Sequence, residues 1–232
     1  MWSISRHSLK VFMTQDFNSQ DYFAHLYGAK DELGNPSQTK IDKLRDGLLV
    51  KLFNRYSQTK LSEASVIDIG CGYGWLLDYF DEAKLICGSD ISDHAIEIAQ
   101  KRKPERKYKV ADIQEGVAFD YKFDLVLAIN VIEHLTKPEA GIKAICEALK
   151  PGGIALVHLP TINNKFNKWE YKHLYESDPT HIYRPKGKQI RKMFEANNMK
   201  TLRDSFLPHF PAILTRLIPL HPAYLAVYKK IS

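Results

Sequence analysis

Nine residues constrain this chain more than any others: Val66-Ile67-Asp68-Ile69-Gly70-Cys71-Gly72-Tyr73-Gly74. A short apolar run carrying an acid leads into three alternating glycines, and an amphipathic segment, Trp75 to Phe80, follows. That order predicts a strand, a glycine turn and a helix start, the arrangement that brings backbone N–H groups up to a nucleotide-like ligand in α/β proteins. Gly70, Gly72 and Gly74 allow the sharp turn and keep Cβ atoms away from the ligand. Asp68, two residues ahead, would repel a pyrophosphate and welcome a cation or an amine. The spacing G-x-G-x-G also departs from the G-x-G-x-x-G of dinucleotide sites.

Strand and helix signals alternate from there. Ser65–Ile69 reads as the first strand, Leu85–Ser89 as the second, and Lys107–Ala111 as a short third. Ser92 caps a helix over Asp93–Lys101 that packs through Ile96, Ile98 and Ala99. Phe123–Ile129 is a continuous apolar run, the mark of a buried central strand. Pro138 opens a helix through Leu149, Pro151-Gly152-Gly153 ends it, and Ile154–Leu159 is the fifth strand. Ahead of the glycine turn, an amphipathic helix over about 37–58 presents Ile41, Leu44, Leu48, Leu52 and Tyr56. Residues 160–185 read as a long polar-aromatic loop; a helix over about 186–197 and strands Thr201–Leu207 and Tyr224–Lys229 follow. Alternating strands and helices imply right-handed crossovers and a mostly parallel sheet.

Open parallel sheets bind ligands at the carboxyl ends of their strands. Three acids stand there in turn, Asp68, Asp90 and Asp112. Asp90 follows Asp68 by the interval at which an acid takes a ribose diol in dinucleotide folds, and a carboxylate accepts two hydrogen bonds from a cis-diol.

The glycine stretch resembles motif I of the class I S-adenosylmethionine (SAM)-dependent methyltransferases, and the likeness extends from about Ile41 to Leu159. Phe123-Asp124-Leu125-Val126-Leu127 is similar to that family's fourth strand, and Leu149-Lys150-Pro151-Gly152-Gly153 to the turn before its fifth. The resemblance implies a Rossmann-like α/β fold: a seven-stranded, mostly parallel sheet with helices on both faces and an antiparallel last strand inserted beside the sixth. It implies SAM as methyl donor, with S-adenosyl-L-homocysteine (SAH) as product. Asp68, Gly70, Cys71, Gly72, Tyr73 and Gly74 would lie along its methionine part. Asp90 would bind the ribose and Asp112 the adenine amine, with Ile113 on the ring; Ile91 and Asn130 would join the cofactor site.

After the fourth strand comes Asn130-Val131-Ile132-Glu133-His134-Leu135. Ile-Glu-His-Leu resembles the subfamily of ubiquinone-pathway and other small-molecule O-methyltransferases. Some relatives carry Glu-x-x-Glu-His there and bind a divalent metal; here Asn130 replaces the first acid. Asp178-Pro179-Thr180-His181 brings a second histidine. Three readings stand: His134 or His181 as general base, Glu133, His134 and His181 as a metal site, or all three as caps and loop hydrogen-bonders. The catalytic expectation rests on His134, His181 and Glu133, without a resident metal.

Composition narrows the rest. Basic residues number 33 against 27 acids, and the net charge of +6 is spread along the chain, which favours solvated faces over a nucleic-acid footprint. Three scattered cysteines fit a reducing, cytoplasmic setting without disulfides. Residues 1–36 form an N-terminal cap segment in which Tyr22 and Tyr27 could close the cofactor side; 37–232 form the methyltransferase domain. Within it, 160–185 is a substrate loop or lid, and 208–220 an apolar insert suited to core, dimer or bilayer contact. A monomer or homodimer acting on a small-molecule hydroxyl is expected: a sugar, a lipid-linked saccharide or a phenolic biosynthetic intermediate. RNA ribose methylation, a non-catalytic partner subunit and an NAD enzyme are the alternatives.

Overall fold

The glycine stretch sits at the centre of a seven-stranded sheet in a computed structural model that describes residues 38–175, 178, 180–206 and 221–231. The N-terminal cap segment with Tyr22 and Tyr27, and the apolar insert at 208–220, lie outside the described residues. The strands are β1 (Ser65–Ile69), β2 (Leu85–Asp90), β3 (Lys107–Val110), β4 (Phe123–Ile129), β5 (Leu149–Pro160), β6 (Met199–Phe206) and β7 (Ala223–Lys230). Their order is β3-β2-β1-β4-β5-β7-β6. β1 pairs in parallel with both β2 and β4, so the chain changes direction across the sheet there and opens a crevice at the strand ends. β7 runs antiparallel between β5 and β6, as the resemblance implies.

Alternate residues feed two cores because successive side chains leave opposite faces of a strand. Ile67, Val126, Ala155 and Val157 pack toward α3 (Pro138–Ala148) and α5 (Gly187–Ala196), through Ile142, Ile145, Ile190 and Phe194. Val66, Leu125, Leu127 and Leu156 meet α1 (Lys40–Tyr56) and the 3-10 turn Leu76–Phe80. Helices therefore cover both faces. α2 (Asp93–Arg102) starts at Ser92, whose hydroxyl accepts the Ala95 N–H as expected.

Four local expectations give way. α1 buries Asp46, Leu49, Leu52 and Phe53, while Ile41 and Leu44 are 73% and 61% exposed. A second apolar stripe on the same helix faces the sheet, and Asp46 rides in it because Gln38 and Arg45 satisfy its carboxylate. The segment after the glycine turn is a 3-10 turn, Leu76–Phe80, rather than a regular helix start. Pro151-Gly152-Gly153 lies inside β5, where the pairing with β4 jumps from Phe123↔Leu149 to Leu125↔Ile154, so these residues form a bulge. The 160–185 loop contains a helix, α4 (Lys165–Leu174), whose start is capped by Asn164.

Candidate active site

The glycine loop is held from the neighbouring strand. Gly70 and Cys71 donate their N–H groups to Ser89 O at 2.7 and 3.0 Å. Gly70, Gly72 and Gly74 take φ values of 70°, 51° and 76°, in the left-handed region that glycine enters without strain. The Gly72 N–H donates to Asp90 Oδ2 and the Ser92 N–H to Asp90 Oδ1, both at 2.9 Å. Asp90 is buried; burial raises its pKa, against the pull of these backbone donors. Asp68 is also buried, and its pKa is raised well above the ordinary value by burial, then by the charges of Asp46 and Asp90. Asp46, from α1, is a third buried acid of this cluster that the sequence reading missed, since one Asp in a charged helix reads as a solvated side chain. Clustered buried acids resist ionising together, and a positive charge brought beside them favours their charged forms, which suits a cationic ligand.

The loop's larger side chains turn inward. Tyr73 is buried edge-on against Trp75, and burial pushes the Cys71 thiol up, away from reactivity. Ile91, just past β2, leaves 49% of its surface exposed beside Asp90. Asp112 caps the turn Ile113–Glu115 by accepting the Gln114 N–H at 2.8 Å, and Ile113 is buried in the core.

Asn130, at the end of β4, is a non-glycine residue with φ of 56°. Its N–H donates to His158 O at 2.8 Å, and its Oδ1 lies 2.8 Å from His158 Nδ1. His158, on β5, is buried and was not singled out from the sequence, where it sits inside an apolar strand.

The structure brings Glu133, His134 and His181 together. Their ligand atoms, one from each residue, all lie within 4.8 Å of one another, and the two imidazole centroids are 4.8 Å apart. Glu133 is fully buried, and neither carboxylate oxygen has a hydrogen-bond partner among the described residues. Burial pushes its pKa up to about 8, with Asp178 adding to the rise. Burial, then the neighbouring His181, holds His134 down at about 4. His181 is lowered by burial, against Asp178, whose Oδ2 lies 3.7 Å from Nε2. His134 Nδ1 reaches Thr180 O and Oγ1, and His181 Nδ1 lies 3.3 Å from the Tyr171 hydroxyl of α4. Thr180 and Tyr171 are buried and set the two rings; neither role was visible in the sequence. Trp169 and His173, also on α4, face solvent with their rings tilted against each other, centroids 4.4 Å apart.

The chain matches the methyltransferase-domain family over residues 41–203. It is 25% identical to the ubiquinone biosynthesis O-methyltransferase of Bartonella bacilliformis over 179 residues, which cover 67% of this chain and 68% of that one. The Coxiella burnetii protein of the same name is 28% identical over 119 residues, 49% of this chain and 50% of that one. The mitochondrial Mus musculus protein is 30% identical over 136 residues, covering 55% and 37%. This chain thus matches about half of the Coxiella relative and less of the mouse one. Among solved structures, magnesium protoporphyrin IX methyltransferase from Synechocystis PCC 6803 with bound SAH superposes with a TM-score of 0.66 at 18% identity, covering 95% of this chain and 99% of that one. The N-methyltransferase NodS from Bradyrhizobium japonicum WM9 gives 0.59 at 16%, covering 82% and 97%. These two likenesses concern the fold.

The chain belongs to the class I SAM-dependent methyltransferases, with a sequence resembling their ubiquinone O-methyltransferase branch. Its methyl donor is SAM. No helix among the described residues is long and apolar enough to cross a membrane.

Proposed function

We propose that this enzyme methylates a hydroxyl oxygen of a small molecule, a phenolic biosynthetic intermediate in preference to a sugar or a lipid-linked saccharide. The observation that carries the reading is the convergence of Glu133, His134 and His181 beyond the end of β4. SAM supplies its own electrophile, so the protein's work is to hold the acceptor in line and manage its proton. Neutral imidazoles suit that work: the acceptor's O–H proton passes to a ring nitrogen, the oxygen forms its bond to the methyl carbon, and the C–S electron pair returns to sulfur as SAH leaves. Relatives named as O-methyltransferases support an oxygen acceptor.

On the donor side, the glycine loop and the buried Asp68 favour the methionine part of SAM, with Asn130 alongside. Asp90 takes the ribose, with exposed Ile91 beside it, and Asp112 and Ile113 border the adenine. Segment 160–185, with α4 inside it, covers the acceptor. Three free, buried cysteines support a reducing, cytoplasmic setting.

A second reading has its own support. A buried carboxylate with two partnerless oxygens beside two imidazoles is the donor set of a divalent cation. Glu133, His134 and His181 would hold it. Such a cation supplies positive charge that acidifies an acceptor hydroxyl.

The test is methyl transfer from isotope-labelled SAM to a panel of phenolic, sugar and amine acceptors, with and without EDTA, the products identified by mass spectrometry. O-methylated phenols are expected. Turnover confined to amines would overturn the oxygen assignment, and activity lost in EDTA and restored by a divalent cation would establish the second reading.

A further inference from the structure

We infer that Asp178 and Thr180 act together as a positioning pair for the reaction: they fix His134 as its Nδ1–H tautomer and reserve the Nε2 lone pair for the acceptor side. The functional consequence rests on the reading above that His134 serves the acceptor; the tautomer rests on geometry alone.

A carbonyl oxygen can only accept. Thr180 O lies 3.1 Å from His134 Nδ1, so that nitrogen carries the proton. The Thr180 hydroxyl lies 2.9 Å from the same nitrogen. Its own proton goes to Asp178 Oδ1 at 2.5 Å, which leaves Oγ1 as a second acceptor for the Nδ1–H. Asp178 Oδ1 also takes the Thr180 N–H at 2.9 Å. One carboxylate oxygen therefore pins both the backbone and the hydroxyl of the residue that reads the ring. Thr180 is buried, so water does not compete for these bonds.

The same segment is fastened to the turn that carries His134. Tyr183 N–H donates to Glu133 O at 2.9 Å, and His181 follows Thr180 directly. Seating this segment thus delivers His181 and sets the His134 tautomer in one event. His134 Nε2 has no hydrogen-bond partner among the described residues. With Nδ1 protonated, Nε2 is the only ring nitrogen able to receive a proton or donate to a cation.

The experiment uses the full chain labelled with nitrogen-15 at histidine, saturated with SAH. Long-range proton–nitrogen spectra report the tautomer, and His134→Gln identifies the His134 signals. The expected wild-type spectrum shows protonated Nδ1 and unprotonated Nε2. The double variant Asp178→Ala/Thr180→Val is expected to show mixed tautomers and a kcat lowered roughly 10- to 100-fold, with SAH affinity kept. Thr180→Ser is expected to keep the wild-type spectrum and kcat. Thermal melting confirms that each variant folds, and Thr180→Val alone serves if the double variant does not. A wild-type ring protonated at Nε2, or a tautomer and kcat unmoved by the variants, overturns the inference. Full turnover by His134→Gln removes the acceptor-side role proposed above, while the spectrum still decides the tautomer.

Discussion

Asp90 and Gly72 are joined through a 2.9 Å hydrogen bond from the loop N–H to Oδ2, and the other carboxylate oxygen takes the Ser92 N–H at the same distance. One buried acid thus shapes both the glycine loop and the start of α2. Replacing it by asparagine puts an NH2 group against one of two backbone donors. Bonds to a charged partner are worth about 1.5–3 kcal/mol, and about 1.4 kcal/mol is tenfold in affinity. Asp90→Asn is therefore expected to weaken SAH binding roughly tenfold and Asp90→Ala roughly 100-fold, measured by calorimetric titration. Unchanged affinity in Asp90→Ala would remove this acid from the cofactor site.

Gly70 tests the loop's geometry. Its φ is 70°, and a Cβ there would stand 2.5 Å from Val131 Cγ2. A left-handed alanine costs about 1–2 kcal/mol, and the clash with a half-buried β-branched neighbour about 1–3 kcal/mol more. Gly70→Ala should lower the denaturant midpoint accordingly and weaken SAH binding with it. A variant as stable as the wild type would mean that Val131 yields freely.

Much of this framework was legible in the sequence because its signals were local. Ser65–Ile69 is a bounded apolar run, Ser92 stands one residue before its helix, and the three glycines need the conformations they take. α4 was missed because its sheltered side is Asn167 and Tyr171 while Phe166 and Trp169 face solvent, which inverts the apolar stripe that marks a helix. Asp46, His158 and Thr180 were missed for another reason. Each matters through a partner distant in sequence or carries no motif, as with Thr180 and His134, 46 residues apart. Glu133 and His134 stand in a four-residue phrase, and His181 is grouped with them in one of the three readings; the distances among the three come from the fold.

The two histidines separate binding from chemistry. Neither side chain belongs to the glycine loop, so His134→Gln and His181→Gln are expected to bind SAH as the wild type does. If either ring handles the acceptor proton, kcat falls roughly 10²- to 10⁴-fold in that variant. Single-turnover measurements at saturating SAM read the step directly. Equal loss of SAH affinity would place the rings in the cofactor site instead.

Glu133 distinguishes a cation site from a purely protein cluster. A ligand that binds only the native state raises the melting temperature as its concentration exceeds Kd. If the cluster holds a cation, manganese or zinc raises the melting temperature of the wild type after EDTA treatment and leaves Glu133→Gln unmoved; no rise in the wild type fits the metal-free reading. Equal responses in the two proteins would place any bound cation elsewhere.

Asp124 predicts the acid limb of stability. It sits at the foot of β4, where its Oδ2 accepts from the Ser65 N–H at 2.8 Å, the Ser65 hydroxyl at 2.7 Å and Lys150 Nζ at 2.7 Å. Burial pushes its pKa up, but Lys150 and Ser65 outweigh that and leave it below the ordinary carboxylate value of 3.8. A depressed folded-state pKa means that the native state binds its proton less tightly than the unfolded chain. The resulting stability is fully present above the unfolded value and is lost as pH falls through the folded one. Asp124→Asn should therefore cost about 1.5–3 kcal/mol at neutral pH. The gap from the wild type should narrow as urea melts are taken from pH 5 toward pH 3, about one unit either side of the ordinary aspartate value. A gap that stays constant across that range would mean that Ser65 of β1 and Lys150 of β5 do not hold the native Asp124 carboxylate below its unfolded value.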